Sequence, residues 1–307
     1  MTRPAASPSL PRRYLLGGTA FSARPLEPGL HVVATPIGNL RDITIRAIET
    51  LAAADVVACE DTRVTRRLID HFGITVPLLP YHEHNAAEMR PKLLARLAAG
   101  EAVALCSDAG TPLVSDPGFK LVEAARATDL AVVPVPGPSA VMAALVAAAL
   151  PTDAFFFDGF LPAKTVGRRA RARALAGVPG SLVFFETGPR LAASLADLAA
   201  ELGDRPAAVC RELTKAHEEI RSASLPALAV HYAATAEPKG EIVLVIGPPG
   251  EAPPPPADDV DAMLRTALAG QSVKDAASAV AAATGLARRE LYQRALELAR
   301  SDPDGDA

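Results

Sequence analysis

Apolar and polar positions along the chain alternate between two rhythms. Short, largely apolar runs at 30–34, 55–59, 102–106 and 130–133 predict buried strands. Each is followed by a segment whose apolar residues recur every three or four positions, the spacing of a helix with one buried face. One helix is predicted from Asp42 as N-cap, with Thr44, Ala47, Ile48 and Leu51 on a shared face. A second spans 62–72 with Val64, Leu68 and Phe72 inward and Gly73 closing it, and a third spans 86–99, striped by Met89, Leu93, Leu94 and Leu97. Helices over 119–127 and 139–148 complete the set. Strands alternating with helices in this way predict a parallel sheet covered by helices.

After Pro151-Thr152-Asp153 the rhythm restarts, with strands at 154–157, 181–185, 207–210 and 241–246 and helices at 165–176 and 190–202. The predicted organisation is a flexible head over 1–28, an N-terminal α/β domain over 29–150 and a second α/β domain over 151–249. A Pro-rich linker over 250–257 then leads to an Ala- and Leu-rich helical domain over 258–302. Two helices around Thr284-Gly285, the second carrying Arg288, Arg289 and Arg294, give that domain a helix-turn-helix outline. A packing appendage or a dimerisation arm fits the same composition.

Parallel strands place the loops at their carboxyl ends on one rim, where α/β sheets bind ligands. Four such loops stand out: 35–39, 60–63, 107–118 and 136–140. The segment 107–118 carries two glycines and two prolines, so it is both tight and stiff. Its Asp108, with Glu60 on the neighbouring loop, is a candidate general base; a loop-stabilising Asx turn is the alternative for Asp108. No dinucleotide fingerprint or P-loop motif occurs. His82 and His84 would flank Glu83 on one face of a strand, but no further ligands follow at suitable spacing, so no metal is assigned and a polar groove lining is preferred.

With 307 residues, half of them hydrophobic, a large core is feasible. No apolar run reaches bilayer length and the head lacks a signal-peptide core, which predicts a cytoplasmic protein without membrane contact. Cys59, Cys106 and Cys210 stand singly and are expected as buried thiols. A net charge of -4 argues against wholesale coating of nucleic acid but leaves room for local basic patches. Two are present: Arg63, Arg66 and Arg67, and Arg168, Arg169, Arg171 and Arg173. The second is either a solvated face or a clamp for an RNA phosphate backbone.

Eight motifs in unbroken order make these loops specific. They are Thr35 to Leu40 with Asp42 to Thr44, Cys59 to Arg63, Tyr81 to Asn85, Ser107 to Gly118, Pro136 to Pro138, Gly159 to Pro162, Arg211 to Lys215, and Lys239 to Glu241. Together they resemble a ribosomal RNA methyltransferase family of the tetrapyrrole-methylase-like superfamily. The resemblance implies two α/β domains of the tetrapyrrole methylase type with a cofactor cleft between them, plus the small helical domain. It further implies a homodimer that uses S-adenosylmethionine to methylate a cytidine ribose 2′-hydroxyl in the decoding region of 16S rRNA within the small ribosomal subunit. By the same likeness, cofactor contacts fall at Pro36, Gly110, Thr111, Pro112, Val114, Ser115, Ser139, Ala140, Glu186 and Leu213. RNA contacts fall to the two arginine patches. The chain departs from the family pattern at Ser139, where a small thiol residue is expected, and at Glu186 to Arg190, which lacks a histidine. Rival readings are a small-molecule methyltransferase of tetrapyrrole type, a metal-dependent hydrolase around His82 to His84, and a non-catalytic ribosome-assembly factor.

Overall fold

The computed structural model describes residues 12–115, 118–250 and 256–301. Residues 1–11 of the predicted head, Asp116 and Pro117 of the long loop, 251–255 of the predicted linker and 302–307 lie outside the described residues.

The first described element corrects the expectation of a flexible head. Strands β1 (Arg13–Leu16) and β2 (Thr19–Ser22) form an antiparallel hairpin whose turn uses Gly17 and Gly18 at φ +55° and +83°. Tyr14 is buried, stacks on Phe21 and donates its hydroxyl to Glu49 at 3.1 Å. The Leu15 N–H donates to the Phe72 carbonyl at 2.7 Å, and Arg12 pairs with Asp55 at 2.7 Å. One buried aromatic and two polar ties dock the hairpin on the domain that follows; its four-residue strands are too short to register as a hydrophobic pattern.

That domain runs β3 (Gly29–Val33), α1 (Ile45–Ala53), β4 (Val56–Cys59), α2 (Thr62–His71), β5 (Leu78–Pro80), α3 (Ala86–Ala98), β6 (Ala102–Cys106), α4 (Phe119–Ala127) and β7 (Val132–Val135). The strands form one parallel sheet in the order β5-β4-β6-β3-β7. Helix α1 starts after Thr44 rather than Asp42, because the Thr44 hydroxyl accepts the Ala47 N–H, while 40–42 make a separate 3-10 turn. On α2 the buried positions are Thr65, Leu68 and Ile69, and Val64 is exposed, one residue off the predicted face. Strand β5 ends at Pro80 and 81–85 form a turn pinned by Asn85, whose side chain accepts the His82 N–H and donates to the Pro80 carbonyl. His82 and His84 therefore do not share a strand face.

The chain then changes sheet earlier than the predicted boundary near 150. Helix α5 (Ala140–Ala148) follows β7 but buries Val141, Ala144, Leu145 and Ala148 against Val183, Ala208, Val243 and Val245 of the second sheet. That sheet contains β8 (Phe155–Phe160), β9 (Ser181–Thr187), β10 (Pro206–Arg211), β11 (Glu219–Ser224) and β12 (Glu241–Ile246) in the order β11-β10-β12-β9-β8. Only β8 and β9 run parallel; the other pairings are antiparallel. Helices α6 (Thr165–Leu175), α7 (Gly188–Leu202) and α8 (Leu225–Ala234) cover its other face through Ala172, Leu175, Leu191, Leu195, Leu198 and Leu228. Strand β11 escapes the sequence pattern because it is a polar, exposed edge strand.

Residues from Gly250 onward form a separate compact unit. Its helices α9 (Ala257–Leu268), α10 (Val273–Thr284) and α11 (Arg288–Ser301) enclose Val260, Leu264, Ala277, Val280, Leu291, Ala295 and Leu298. Gly285, at φ +72°, caps α10, and Asp261 holds Arg294 at 2.8 Å. Among the described residues no helix is long and apolar enough to cross a membrane.

Candidate active site

The carboxyl-end loops of the parallel sheet are tied to one another. Thr35 and Gly110 exchange backbone hydrogen bonds at 2.8 and 3.0 Å, and the Thr35 hydroxyl donates to the Ser107 carbonyl at 3.2 Å. The Thr111 hydroxyl donates to the Pro138 carbonyl at 3.1 Å, and the Asp61 N–H donates to Asp108 Oδ1 at 2.9 Å. Four loops thus make one rigid rim. Leu113 and Ser115 sit at φ +73° and +65°, a left-handed conformation that costs a non-glycine residue free energy and clusters at ligand-binding loops.

The second sheet presents a facing wall with the same kind of strain. Glu212 and Thr214, at φ +49° and +67°, flank Leu213. Lys215 Nζ donates to Glu212 at 2.7 Å and Glu241 at 2.9 Å, and its stem lies so close to Gly38 that a Cβ there would sit 2.4 Å from Lys215 Cγ. Burial works against the Lys215 charge, but the two carboxylates outweigh it and hold the ammonium above its ordinary pKa. The bond from Lys215 and the Glu241 N–H in turn hold Glu212 below the usual carboxylate range. Glu186 is buried at the end of β9, accepting the Thr187 N–H at 2.9 Å and the Ser194 hydroxyl at 2.5 Å, with Arg190 alongside at 3.3 Å.

Between the rim and this wall lies a cavity of about 260 Å³. Of the cofactor positions predicted from sequence, Gly110, Thr111, Val114, Ser115, Ser139, Ala140, Glu186 and Leu213 line it. Pro36 and Pro112 stand beside the lining residues Ile37 and Thr111. Phe160, Phe185, Cys210 and Glu241 also line it without having been singled out. Phe185 and Cys210 look in the sequence like ordinary core residues of apolar strands, whereas the Gly-Phe-Leu-Pro and Lys-Gly-Glu motifs already mark the stretches holding Phe160 and Glu241. Burial pushes the Cys210 thiol up to about 11, which keeps it protonated.

Asp108 and Glu60 lie on the rim outside the cavity lining. Burial, with the Asp61 charge adding to it, holds the Asp108 carboxyl above its ordinary range despite the Asp61 N–H. Asp61 is held at about 2 by the Arg63 guanidinium and N–H. Arg63, Arg66 and Arg67 are exposed on α2. The second arginine patch divides differently from the expectation. Arg168 is buried and pairs with Asp197 at 2.6 Å, so it cannot present charge to a partner. Arg169 shares Asp197, Arg171 pairs with Asp158 and Arg173 with Glu201, so their charge is largely balanced within the chain. Among the described residues no group of three or more His, Cys, Asp or Glu side chains converges to hold a metal.

The family described as Tetrapyrrole (Corrin/Porphyrin) Methylases matches residues 29–229, and an RsmI C-terminal HTH domain matches 254–299. A ribosomal RNA small subunit methyltransferase I of Mesorhizobium japonicum is 55% identical over 95% of this chain and 99% of its own length. The chain belongs to the ribosomal RNA small subunit methyltransferase I family. A second member, from Erythrobacter litoralis, is 54% identical over 90% of this chain and 98% of its own. Beyond the family, the fold is similar to that of uroporphyrin-III C-methyl transferase from Thermus thermophilus, solved in complex with S-adenyl homocysteine. That likeness has a TM-score of 0.50 and 22% identity, and covers 71% of this chain and 97% of the other. The tetrapyrrole methylase match over 29–229 takes in the rim, Glu186 and Leu213, and the helix-turn-helix match takes in α9, α10 and nearly all of α11.

Proposed function

We propose that this chain transfers a methyl group from S-adenosylmethionine to the ribose 2′-hydroxyl of a cytidine in the decoding region of 16S rRNA, acting on the small ribosomal subunit as a cytoplasmic homodimer. The observation that carries the reading is identity of 55% over nearly the whole of both chains to a ribosomal RNA small subunit methyltransferase I.

The cavity fits the cofactor. Its wall joins apolar surface from Ile37, Val114, Phe185 and Leu213 to the backbone of the Gly110 and Ser139 loops and to Glu186, whose carboxylate is held by Ser194 and the Thr187 N–H, a mostly apolar pocket with a few fixed polar groups. Gly110, Thr111, Ser139, Glu186 and Leu213 would hold it. When bound, it supplies the electrophilic methyl group.

The residues of the chain do the rest. Two interlocked walls fix the approach of the ribose oxygen and exclude water, and positioning of this kind supplies much of the rate in a transfer between two bound groups. The 2′-hydroxyl is a weak acid, and Asp108, next to the cavity residue Ala109, takes its proton; its Oδ1 is committed to Asp61, leaving Oδ2 for this role. Glu60 stands beside it on the rim as the second carboxylate. Arg63, Arg66 and Arg67 meet the RNA phosphates.

The test is transfer of labelled methyl from S-adenosylmethionine to unmodified small subunits, followed by nuclease digestion. Label in a 2′-O-methylcytidine is expected. Label on a base, or none on subunits and naked 16S rRNA alike, overturns the reading.

A further inference from the structure

Strand β8 does not keep the alternation of a regular strand. Its register against β9 shifts between Phe157 and Phe160, with Gly159 at φ +67° inside the irregularity. Residues three apart on a regular strand point to opposite faces. Here Phe157 and Phe160 both meet the ring of Phe185, at centroid distances of 4.9 and 5.6 Å. The bulge has turned Phe160 onto the cavity side, a use of bulges that recurs beside active sites. The rim loop comes close to it from across the cleft, since a Cβ at Gly159 would sit 3.0 Å from Ser115 Oγ.

The result is a ring held at the mouth. Phe160 lines the cavity with 53% of its surface in solvent, whereas Glu186 on the same lining retains 2%. Phe157 and Phe185 meet each other, and Phe185 meets Phe160, edge to face at 64° and 62°, an arrangement that buttresses the Phe160 ring while leaving a face open. Core packing alone does not call for a backbone irregularity that exposes an aromatic side chain.

The geometry points to Phe160 as the stacking platform for the nucleobase whose ribose is methylated, an inference that rests on the proposed RNA reaction. A ribose can enter a cleft between two rigid walls only if its base leaves the helical stack, and proteins receive such splayed bases on aromatic faces. Stacking tolerates any base, so Phe160 sets the position of the nucleotide and not its identity. Because the ring stands at the exposed mouth, it serves the incoming RNA; the enclosed polar groups of the lining serve the cofactor.

The chain contains no tryptophan, so Phe160→Trp introduces a single fluorescent reporter at this position. The experiment compares wild type with Phe160→Trp, Phe160→Leu and Phe160→Ala for methyl transfer to unmodified small subunits and, separately, for S-adenosylmethionine binding by calorimetry, which also reports that each variant is folded. The Leu and Ala variants are expected to raise the KM for subunits by about 10-fold or more, as loss of a base–aromatic stack does. The Trp variant, which keeps an aromatic face, is expected to raise the KM for subunits less than the Leu and Ala variants do and to lose emission when subunits bind. Cofactor affinity is expected to hold in all three. Wild-type behaviour of Phe160→Leu, unchanged Trp emission at saturating subunits, or a fall in cofactor affinity that parallels the fall in activity overturns the assignment. Failure of the wild-type chain itself to methylate subunits removes the RNA reaction on which it stands.

Discussion

The carboxylate of Asp108 accepts the backbone N–H of Asp61 at 2.9 Å, joining the loops after β6 and β4 across 47 residues of sequence. Asp61 in turn caps α2, accepting the Arg63 N–H at 2.8 Å and pairing with its guanidinium at 2.6 Å. Two carboxylates in series therefore link the cavity rim to the helix that exposes Arg63, Arg66 and Arg67. The cavity rim and the charged surface beside it are one hydrogen-bonded unit.

Replacing Asp108 by Asn separates its two roles. The amide oxygen still accepts the Asp61 N–H, so cofactor affinity and fold are expected to persist, while turnover falls by about 10²- to 10⁴-fold with the loss of the base. In wild type, kcat/KM is expected to rise with pH through a carboxyl pKa that burial has raised, and this limb to disappear in the variant. Stability shifts in the opposite sense. A folded-state pKa above the unfolded value means that the native chain keeps a proton the unfolded chain releases, so wild type loses stability as pH rises through that window and D108N does not. Turnover by D108N at the wild-type rate would leave Asp108 as a tether only.

Gly38 and Lys215 should prove energetically coupled. A methyl group at Gly38 would fall 2.4 Å from Lys215 Cγ, and the side chain has little freedom to yield because its Nζ is held by Glu212 and Glu241. Gly38→Ala is expected to weaken cofactor binding measured by calorimetry, and Gly38→Ala combined with Lys215→Ala to lose less than the two single effects added together. Strict additivity would show that the two walls do not bear on each other at this point.

The parallel sheet and its loop-bearing rim were legible because buried parallel strands appear as unbroken apolar runs, as 102–106 does. The hairpin, β5 and β11 were not, since strands of three or four residues, or an exposed polar edge strand, leave no periodic signature. Helix α5 shows a different limit: its sequence position assigns it to the first domain, but its buried side, Val141, Ala144, Leu145 and Ala148, finds its partners on the second sheet. At the site, glycine and proline punctuation located the loops that line the cavity. It could not separate Arg168 from its neighbours, because charge in a sequence does not reveal that Asp197, 29 residues on, is folded against it.

That pairing predicts opposite phenotypes for the two arginine patches. Arg168→Ala removes the buried arginine from Asp197, whose side chain is 7% exposed, but leaves Arg169 on the same carboxylate at 2.8 Å, so urea unfolding is expected to show a clear loss of stability that stays below the about 3–5 kcal/mol of an unpaired buried charge. Arg66→Ala and Arg67→Ala lie on an exposed helix face and are expected to leave unfolding nearly unchanged while lowering subunit affinity and reducing its salt dependence by about one counterion per lost phosphate contact. An unchanged salt slope in the α2 variants would remove that helix from the RNA surface.

The helical unit offers the cleanest separation of folding from binding. Its core is its own, formed by Val260, Leu264, Ala277, Val280, Leu291, Ala295 and Leu298, and the Asp261–Arg294 pair ties its first helix to its last. With Arg294 committed inside the unit, Arg288 and Arg289 are the exposed arginines at the start of α11, beside the exposed Glu290, at the end that a helix-turn-helix presents to nucleic acid. Deleting 251–307 is therefore expected to leave the melting transition and cofactor affinity of the remaining chain in place and to weaken binding to small subunits, an effect that Arg288→Glu with Arg289→Glu should reproduce in the full-length protein. Equal subunit affinity with and without the three helices would make them a packing arm.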